Sequence, residues 1–246
     1  MLVIVGDLVD KGPDAPDVLR LTAALQASAA SAGGRVVVTM GNHEAEFLAN
    51  PKNDKASKSD GLDPELQSIG LTPEDTAAGK NDIGSFLRNL PFAASVNNWF
   101  FAHAVKTNGS TLAELSKSLQ DGVDSAGFGA PILAADDSLL EARLGKSSPQ
   151  WWDATGDAQG LLAQWSQALG ASHLVMGHQP GVVAFSDGTQ RAADQMFQKY
   201  GLIFLIDTGL SVGADHTGGA LLHVMGPGTP SESWEEVLSD GSRKAL

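Results

Sequence analysis

Six polar residues stand out for their chemical types and their places in the chain: Asp7, Asp10, Asn42, His43, His103 and His178. Asp7, Asn42, His103 and His178 each follow an apolar run and each has a glycine or alanine beside it. Together they offer one carboxylate, one amide oxygen and two imidazoles, a donor set that suits a divalent ion such as Mn, Fe or Zn. The chain has no cysteine, so no thiolate competes for an ion, and disulfides and cysteine nucleophiles are excluded. His43 is the side-chain type best suited to moving a proton near neutral pH. Asp10, three residues past Asp7, is within reach to orient an imidazole. A carboxylate–imidazole pair beside a metal is how a general acid is built. Taken singly, an Asp after a strand is a turn former and a lone His at a strand end is a satisfied core residue. Their joint recurrence at successive strand ends favours a site.

Side chains converge only if the elements before them line up. Leu2–Val5 reads as a strand buried on both faces, because it does not alternate. Pro13–Pro16 then starts a helix, with Asp14 as the N-cap and Val18, Thr22, Leu25 and Ala29 on its apolar face. Gly33-Gly34 ends it. Val36–Met40 is the next strand, so the opening is a βαβ unit with a parallel pair. Open α/β sheets carry their chemistry at the carboxyl edge, where Asp7 and Asn42 would meet. Ala45–Leu48 is a short helix and the polar stretch 51–63 reads as a mobile surface loop. Asp82–Leu90 is a helix stopped by Pro91, and Ala94–Ala102 is a strand, which a turn at Asn97-Asn98 would make a hairpin. A mostly helical insertion at 106–170 follows, with helices at Leu112–Leu119, Asp136–Leu144 and Gly160–Leu169. Trp151, Trp152 and Trp165 are expected to pack it onto the body. Strands resume at Ser172–Met176, Leu202–Ile206 and Ala220–Val224, and the tail after Gly226 reads as loosely held.

Composition narrows the partners. With 246 residues the chain has room for a substantial core. A net charge of −13 disfavours nucleic-acid backbones and anionic membranes as partners. No apolar run approaches the roughly 18 residues of a membrane span. An anionic substrate would need local positive charge from metal ions or a few placed cations.

The strings GDLVDKGP (6–13), GNHE (41–44), FFAHA (100–104) and GHQP (177–180), in this order, resemble the calcineurin-like metallophosphoesterases. The likeness is greatest to the phosphoprotein-phosphatase branch and its bacterial Shewanella-like relatives, and it runs from Val3 to Val224. It implies a single α/β domain, a sandwich of two mixed β-sheets flanked by helices, spanning 1–246 with the insertion as a cap. It implies two divalent ions and hydrolysis of a phosphate monoester by a metal-bridging hydroxide, with a phosphorylated protein or small molecule as substrate and phosphoserine, phosphothreonine or phosphotyrosine as candidate esters. Asp7 matches the aspartate that bridges the ions, and Asn42, His103 and His178 match the remaining ligands of the second ion. His43 and Asp10 match the dyad that protonates the leaving oxygen, and Lys11 and Asn42 match positions that face the phosphate.

The departures matter as much. The family's Asp-x-His-Gly motif lies upstream of GDLVDKGP, and only five residues precede Gly6 here. The chain thus holds ligands for the second ion and only the bridging Asp7 of the first. It reads as N-terminally incomplete, or else as a one-metal or non-catalytic member; compartment is left open. Lys11 stands where relatives have arginine, which keeps the charge and loses the bidentate fork. Asp153 follows the Trp pair where related sequences have arginine, leaving Arg143 and Arg191 as substitutes. Diadenosine-tetraphosphatase-like nucleotide hydrolysis is the alternative activity. Asp207-Thr208-Gly209 lacks a second copy, Phe47 breaks an HExxH reading, and His173, His216 and His223 read as structural or surface residues.

Overall fold

The computed structural model describes residues 1–145, 151–152, 156–214 and 218–246. Strand β1 (Leu2–Ile4) pairs in parallel with β2 (Val36–Val38), Leu2 opposite Val36, and helix α1 (Ala15–Ser31) makes the crossover. The expected βαβ unit is therefore present. Two of its details differ. Leu2 is exposed and Val3 and Ile4 are half-buried, because among the described residues β1 has β2 as its one strand neighbour. In α1 the buried face is Ala15, Pro16, Leu19 and Thr22, while Val18 and Leu25 are 37% and 43% exposed. Alanine is spread all round this helix, so its period does not single out one face. Thr22 can be buried because its hydroxyl donates to the Val18 carbonyl (2.7 Å). Asp14 holds the N-cap position at φ 68° without a side-chain cap bond. The Ala15 N–H donates to Glu65 Oε2 (2.6 Å) instead.

Helix α2 (Asn42–Ala49) starts three residues earlier than expected, directly at the strand-end loop. The stretch 51–63, read as a mobile loop, is instead folded into turns. Asn53 Oδ1 accepts from the Lys55 and Ala56 N–H groups, and Ala56 is fully buried. Its polar side chains face solvent while its backbone is anchored, a state that composition alone does not separate from a free loop. Helices α3 (Leu62–Ser68), α4 (Pro73–Ala77) and α5 (Asp82–Arg88) follow. Ile83, Leu87 and Leu90 are buried as expected, and Phe86 is half-buried.

The hairpin forms as read, β3 (Ala93–Val96) and β4 (Trp99–Ala102), with Asn97 at φ 53° in its turn. In the insertion, α6 (Leu112–Ala126) is capped reciprocally by Thr111 and Glu114. Next come α7 (Pro131–Ala134) and α8 (Ala158–Ala168). The helix expected at Asp136–Leu144 is absent: the segment is turns and then irregular chain. Leu139, Leu140, Ala142 and Leu144 are all buried, so their spacing mimicked a helix stripe. Ser138 Oγ accepts from the Leu140 and Glu141 N–H groups and breaks the pattern. Trp151 stacks on Trp165 (4.8 Å) and buried Trp152 lies 6.1 Å from Phe185, packing the insertion as expected.

The main sheet has the order β3-β4-β5-β9-β8, with β5 (His173–Met176), a small hairpin β6 (Val183–Ala184) and β7 (Gln190–Arg191), β8 (Phe197–Lys199) and β9 (Ile203–Leu205). It is mixed: β4, β5 and β9 are parallel neighbours and both edges are antiparallel. The tail does not hang free. Strands β10 (Ala220–Met225), β11 (Ser233–Leu238) and β12 (Arg243–Ala245) form an antiparallel sheet. Its Leu222, Val224 and Trp234 pack on Trp99, Val175 and Phe204 of the main sheet. The α/β class and the layered arrangement match expectation. Of the three other sheets among the described residues, one is a parallel pair and two are antiparallel. Among the described residues no helix is long and apolar enough to cross a membrane.

Candidate metal centre

The carboxyl ends of β1, β2, β4 and β5 deliver Asp7, Asn42, His103 and His178 to one place. The first two can meet because their loops touch glycine to glycine. A Cβ on Gly6 (φ 87°) would lie 2.4 Å from the Gly41 nitrogen, and one on Gly41 would lie 2.3 Å from Asp7 Oδ1. Glu44, fully buried, ties the loops: its carboxylate accepts from the N–H groups of Asp7 (3.0 Å), Leu8 (2.5 Å) and Gly41 (2.7 Å). Asp7 is thereby held at φ 56°.

Four donor atoms face each other. His103 Nε2 lies 3.3 Å from Asp7 Oδ2 and 3.1 Å from Asn42 Oδ1. His178 Nδ1 lies 3.1 Å from Asn42 Oδ1 and 2.9 Å from His103 Nε2. Donors on one ion at about 2.1 Å sit about 3 Å apart when adjacent, so this spacing suits a shared cation. The outer contacts fit as well. His103 Nδ1 donates to the Val5 carbonyl (2.7 Å), which turns the Nε2 lone pair inward. Asn42 Nδ2 donates to Glu46 Oε1 (3.1 Å), which turns the amide oxygen inward. Lys55 in turn donates to Glu46 Oε1 (2.5 Å).

The electrostatics of the bare cluster agree. Burial disfavours a charged His103, but the Asp7 charge and hydrogen bond outweigh it and raise the imidazole to about 9. Burial also works against an ionised Asp7, and the charges of His103, His43 and His178 hold it well below the usual carboxylate range. Burial and the His103 charge push His178 down to about 3.

Beside the cluster, His43 Nδ1 is 2.7 Å from Asp10 Oδ2, and both are buried. Asp10 Oδ1 accepts from the Leu62 N–H (3.0 Å), so the formerly loop-like segment helps to orient the dyad. His43 Nε2 lies 4.0 Å from Asp7 Oδ2, facing the cluster. Lys11 is exposed at φ 58°, its carbonyl accepting from the Gly213 N–H (2.7 Å). Arg143 is exposed and reaches the cluster, its Nε 3.1 Å from His178 Nε2. Arg191 does not serve as a substitute for the phosphate arginine. It is buried and donates to the carbonyls of Gln195, Gln179, Gly181 and Asp207. Asp153 and His216 lie outside the described residues. His173 and His223 bond to the Gly201 carbonyl and Glu235, away from the cluster. Glu44 and Glu46 were missed by the sequence reading. Glutamate at the third position of a helix opened by glycine, and a second one four residues past Asn42, are the signals that mark them.

Residues 1–204 match the family model for calcineurin-like phosphoesterase. The chain belongs to that family and is by class a phosphoester hydrolase. Among solved structures, a cold-active protein-tyrosine phosphatase of a psychrophilic Shewanella species aligns with a TM-score of 0.70 at 19% identity. The match covers 99% of this chain and 68% of that one. A protein serine/threonine phosphatase from Saccharomyces cerevisiae aligns with a TM-score of 0.58 at 16% identity, over 91% of this chain and 63% of that one. These likenesses establish the fold. No curated protein sequence matches the chain.

Proposed function

We propose that this chain carries the second-ion half of a phosphomonoesterase centre, acting on phosphorylated serine, threonine or tyrosine. The observation that supports it best is the convergence of Asp7, Asn42, His103 and His178 with the His43–Asp10 pair alongside. Divalent ions held there (Mn, Fe or Zn) would polarise the phosphoryl oxygens and activate water. His43 Nε2 donates the proton that the leaving oxygen takes up, and Asp10 at Nδ1 stabilises the imidazolium that carries it. Asn42 both ligates and faces the phosphate, and Lys11 supplies a positive charge at the rim.

A second reading has its own support. Among the described residues Asp7, His103 and His178 are the one cluster of three or more metal-binding side chains. A one-ion, phosphate-binding member fits that count. Hydrolysis of an aryl phosphate with Mn, against the same assay in chelator, separates the two. A metal-dependent rate that falls with His43→Ala supports the enzyme, and no rate with intact Mn binding supports the binding member. Phosphopeptides set against dinucleoside polyphosphates then decide the ester.

A further inference from the structure

A cleft of about 280 Å³ opens beside the donor cluster and shares Asn42 with it. One wall is α2, with Ala45, Glu46 and Ala49, and the other is the insertion, with Phe128, Leu133 and Ala134. A second cleft of about 280 Å³ continues past Phe128, and Ala49, Phe128 and Gly129 line both. Arg88 lines the far cleft, its guanidinium 5.3 Å from the centre of the Phe128 ring. The two clefts follow α2 away from the donors, so the space is elongated rather than bowl-shaped. From Asn42 to Ala49 the helix is about 10 Å long. Extended peptide covers that distance in about three residues.

Charge is spread unevenly along this path. In the near cleft Glu141 stands beside both Glu46 and the Asn42 amide. Lys55 reaches Glu46 Oε1 (2.5 Å), so two carboxylates meet one ammonium. Arg143, two residues past Glu141, turns to His178 and does not line the cleft. Around the carboxylates the walls are apolar, from Ala45, Ala49 and Leu133. A narrow apolar space that ends in unbalanced negative charge fits the methylene stem and charged head of a lysine or arginine. It suits a polyphosphate chain badly, because that chain would lie against the carboxylates.

We propose that the near cleft receives a basic side chain of a phosphorylated peptide, carried within about three residues of the phosphorylated one. The proposal rests on the phosphate-site reading above and narrows its substrate to basic phosphopeptides. The apolar walls hold the stem, Glu141 pairs with the head, and the far cleft takes the next stretch of peptide.

Rates of phosphopeptide hydrolysis by the whole Mn-loaded chain, read as kcat/KM, test this. Lysine, norleucine and glutamate are placed in turn at each of the three positions before and after the phosphorylated residue. Norleucine keeps the stem without the charge, so the lysine-to-norleucine ratio isolates the head. At one position that ratio should be about 5 to 20, with glutamate below norleucine. Glu141→Gln keeps an acceptor oxygen beside Asn42 and should cut the ratio about 3-fold. Ala134→Lys, at an exposed position on the wall, should abolish it. A ratio of one at every position in wild type, or a ratio that survives either variant, would overturn the proposal. The same peptides with a phosphonate in place of the phosphate give the ratio as Kd values, by fluorescence anisotropy. A chain that hydrolyses no ester, yet prefers the lysine phosphonate and loses that preference in Ala134→Lys, sinks the enzyme reading and leaves this one standing. Turnover of an aryl phosphate without any lysine preference does the reverse. Neither turnover nor phosphonate binding would sink both.

Discussion

Two histidines five residues apart on one strand have opposite fates. His173 opens β5 and His178 lies just past its end. His173 stacks on Trp99 at 4.2 Å, gives one nitrogen to the Gly201 carbonyl and lies 3.5 Å from Glu232. Trp99, Phe204 and Trp234 surround it, and among the described residues no group of three metal-binding side chains includes it. His178 meets an imidazole, an amide oxygen and, through His103, a carboxylate. Residue type is the same and even a carboxylate neighbour is shared. What differs is the sheet edge: parallel strands end together at the His178 side, and loops there can aim several donors at one point. Asp7, Asp10, Lys11 and His178 all sit at positive φ at the donor end, and of these lysine is the type least suited to it. Asn97 and Tyr200 do so at the aromatic end, in the turns that flank it.

The comparison breaks first at His43. His43→Ala should lower turnover of an aryl phosphate by about 10²- to 10⁴-fold and leave Mn content unchanged. If Mn is lost with it, His43 belongs among the ligands and the proton role is wrong. Next comes pH. His103 is raised to about 9 in the bare cluster, so below that a cation must displace its proton. Mn affinity should rise up to about tenfold per pH unit from roughly 6 to 9 and then level off. Affinity that is flat across this range would mean that His103 is not a ligand. In the metal-free chain the same shift stabilises the fold fully below the unfolded value of about 6.5 and is lost as pH rises through about 9. His178, pushed to about 3, acts oppositely and lowers stability as pH falls below about 6.5. Asn42→Ala should weaken Mn binding by about 10- to 100-fold. Unchanged affinity would remove Asn42 from the donor set.

The strained edge was the more legible half, and for a physical reason. Gly6 and Gly41 are required where two loops touch, and glycine beside a polar residue after an apolar run is visible in any single sequence. The donors were readable because each ends a strand. Less visible was what holds them. Glu44 and Glu46 look like ordinary helix surface residues until the first turn of α2 is buried against Asp7 and Leu8. The turns at 51–63 and the strap at 136–144 failed from opposite causes: polar side chains hid an anchored backbone, and apolar ones counterfeited a helix. The tail after Gly226 was misjudged because β11 is polar outside and contributes Trp234 inside, and its partner face on Trp99 and Phe204 is far away in the chain.

The aromatic half supplies the smaller effects, and they test whether the two ends are independent. Trp99→Phe removes an indole N–H that donates to Glu232 and part of a fully buried ring system. It should lower stability by about 1 to 3 kcal/mol, read as a drop in Tm, with Mn affinity unchanged. His173→Gln is milder still. It loses the bond to the Gly201 carbonyl and the stacking on Trp99, about 1 kcal/mol together. It should leave the pH dependence of Mn binding as it is in wild type, because β5 separates the two histidines with buried Leu174, Val175 and Met176. A shift in that pH dependence on His173→Gln would show that the strand transmits charge or displacement between its ends. The cluster would then owe its shape to the aromatic face as well as to its own loops.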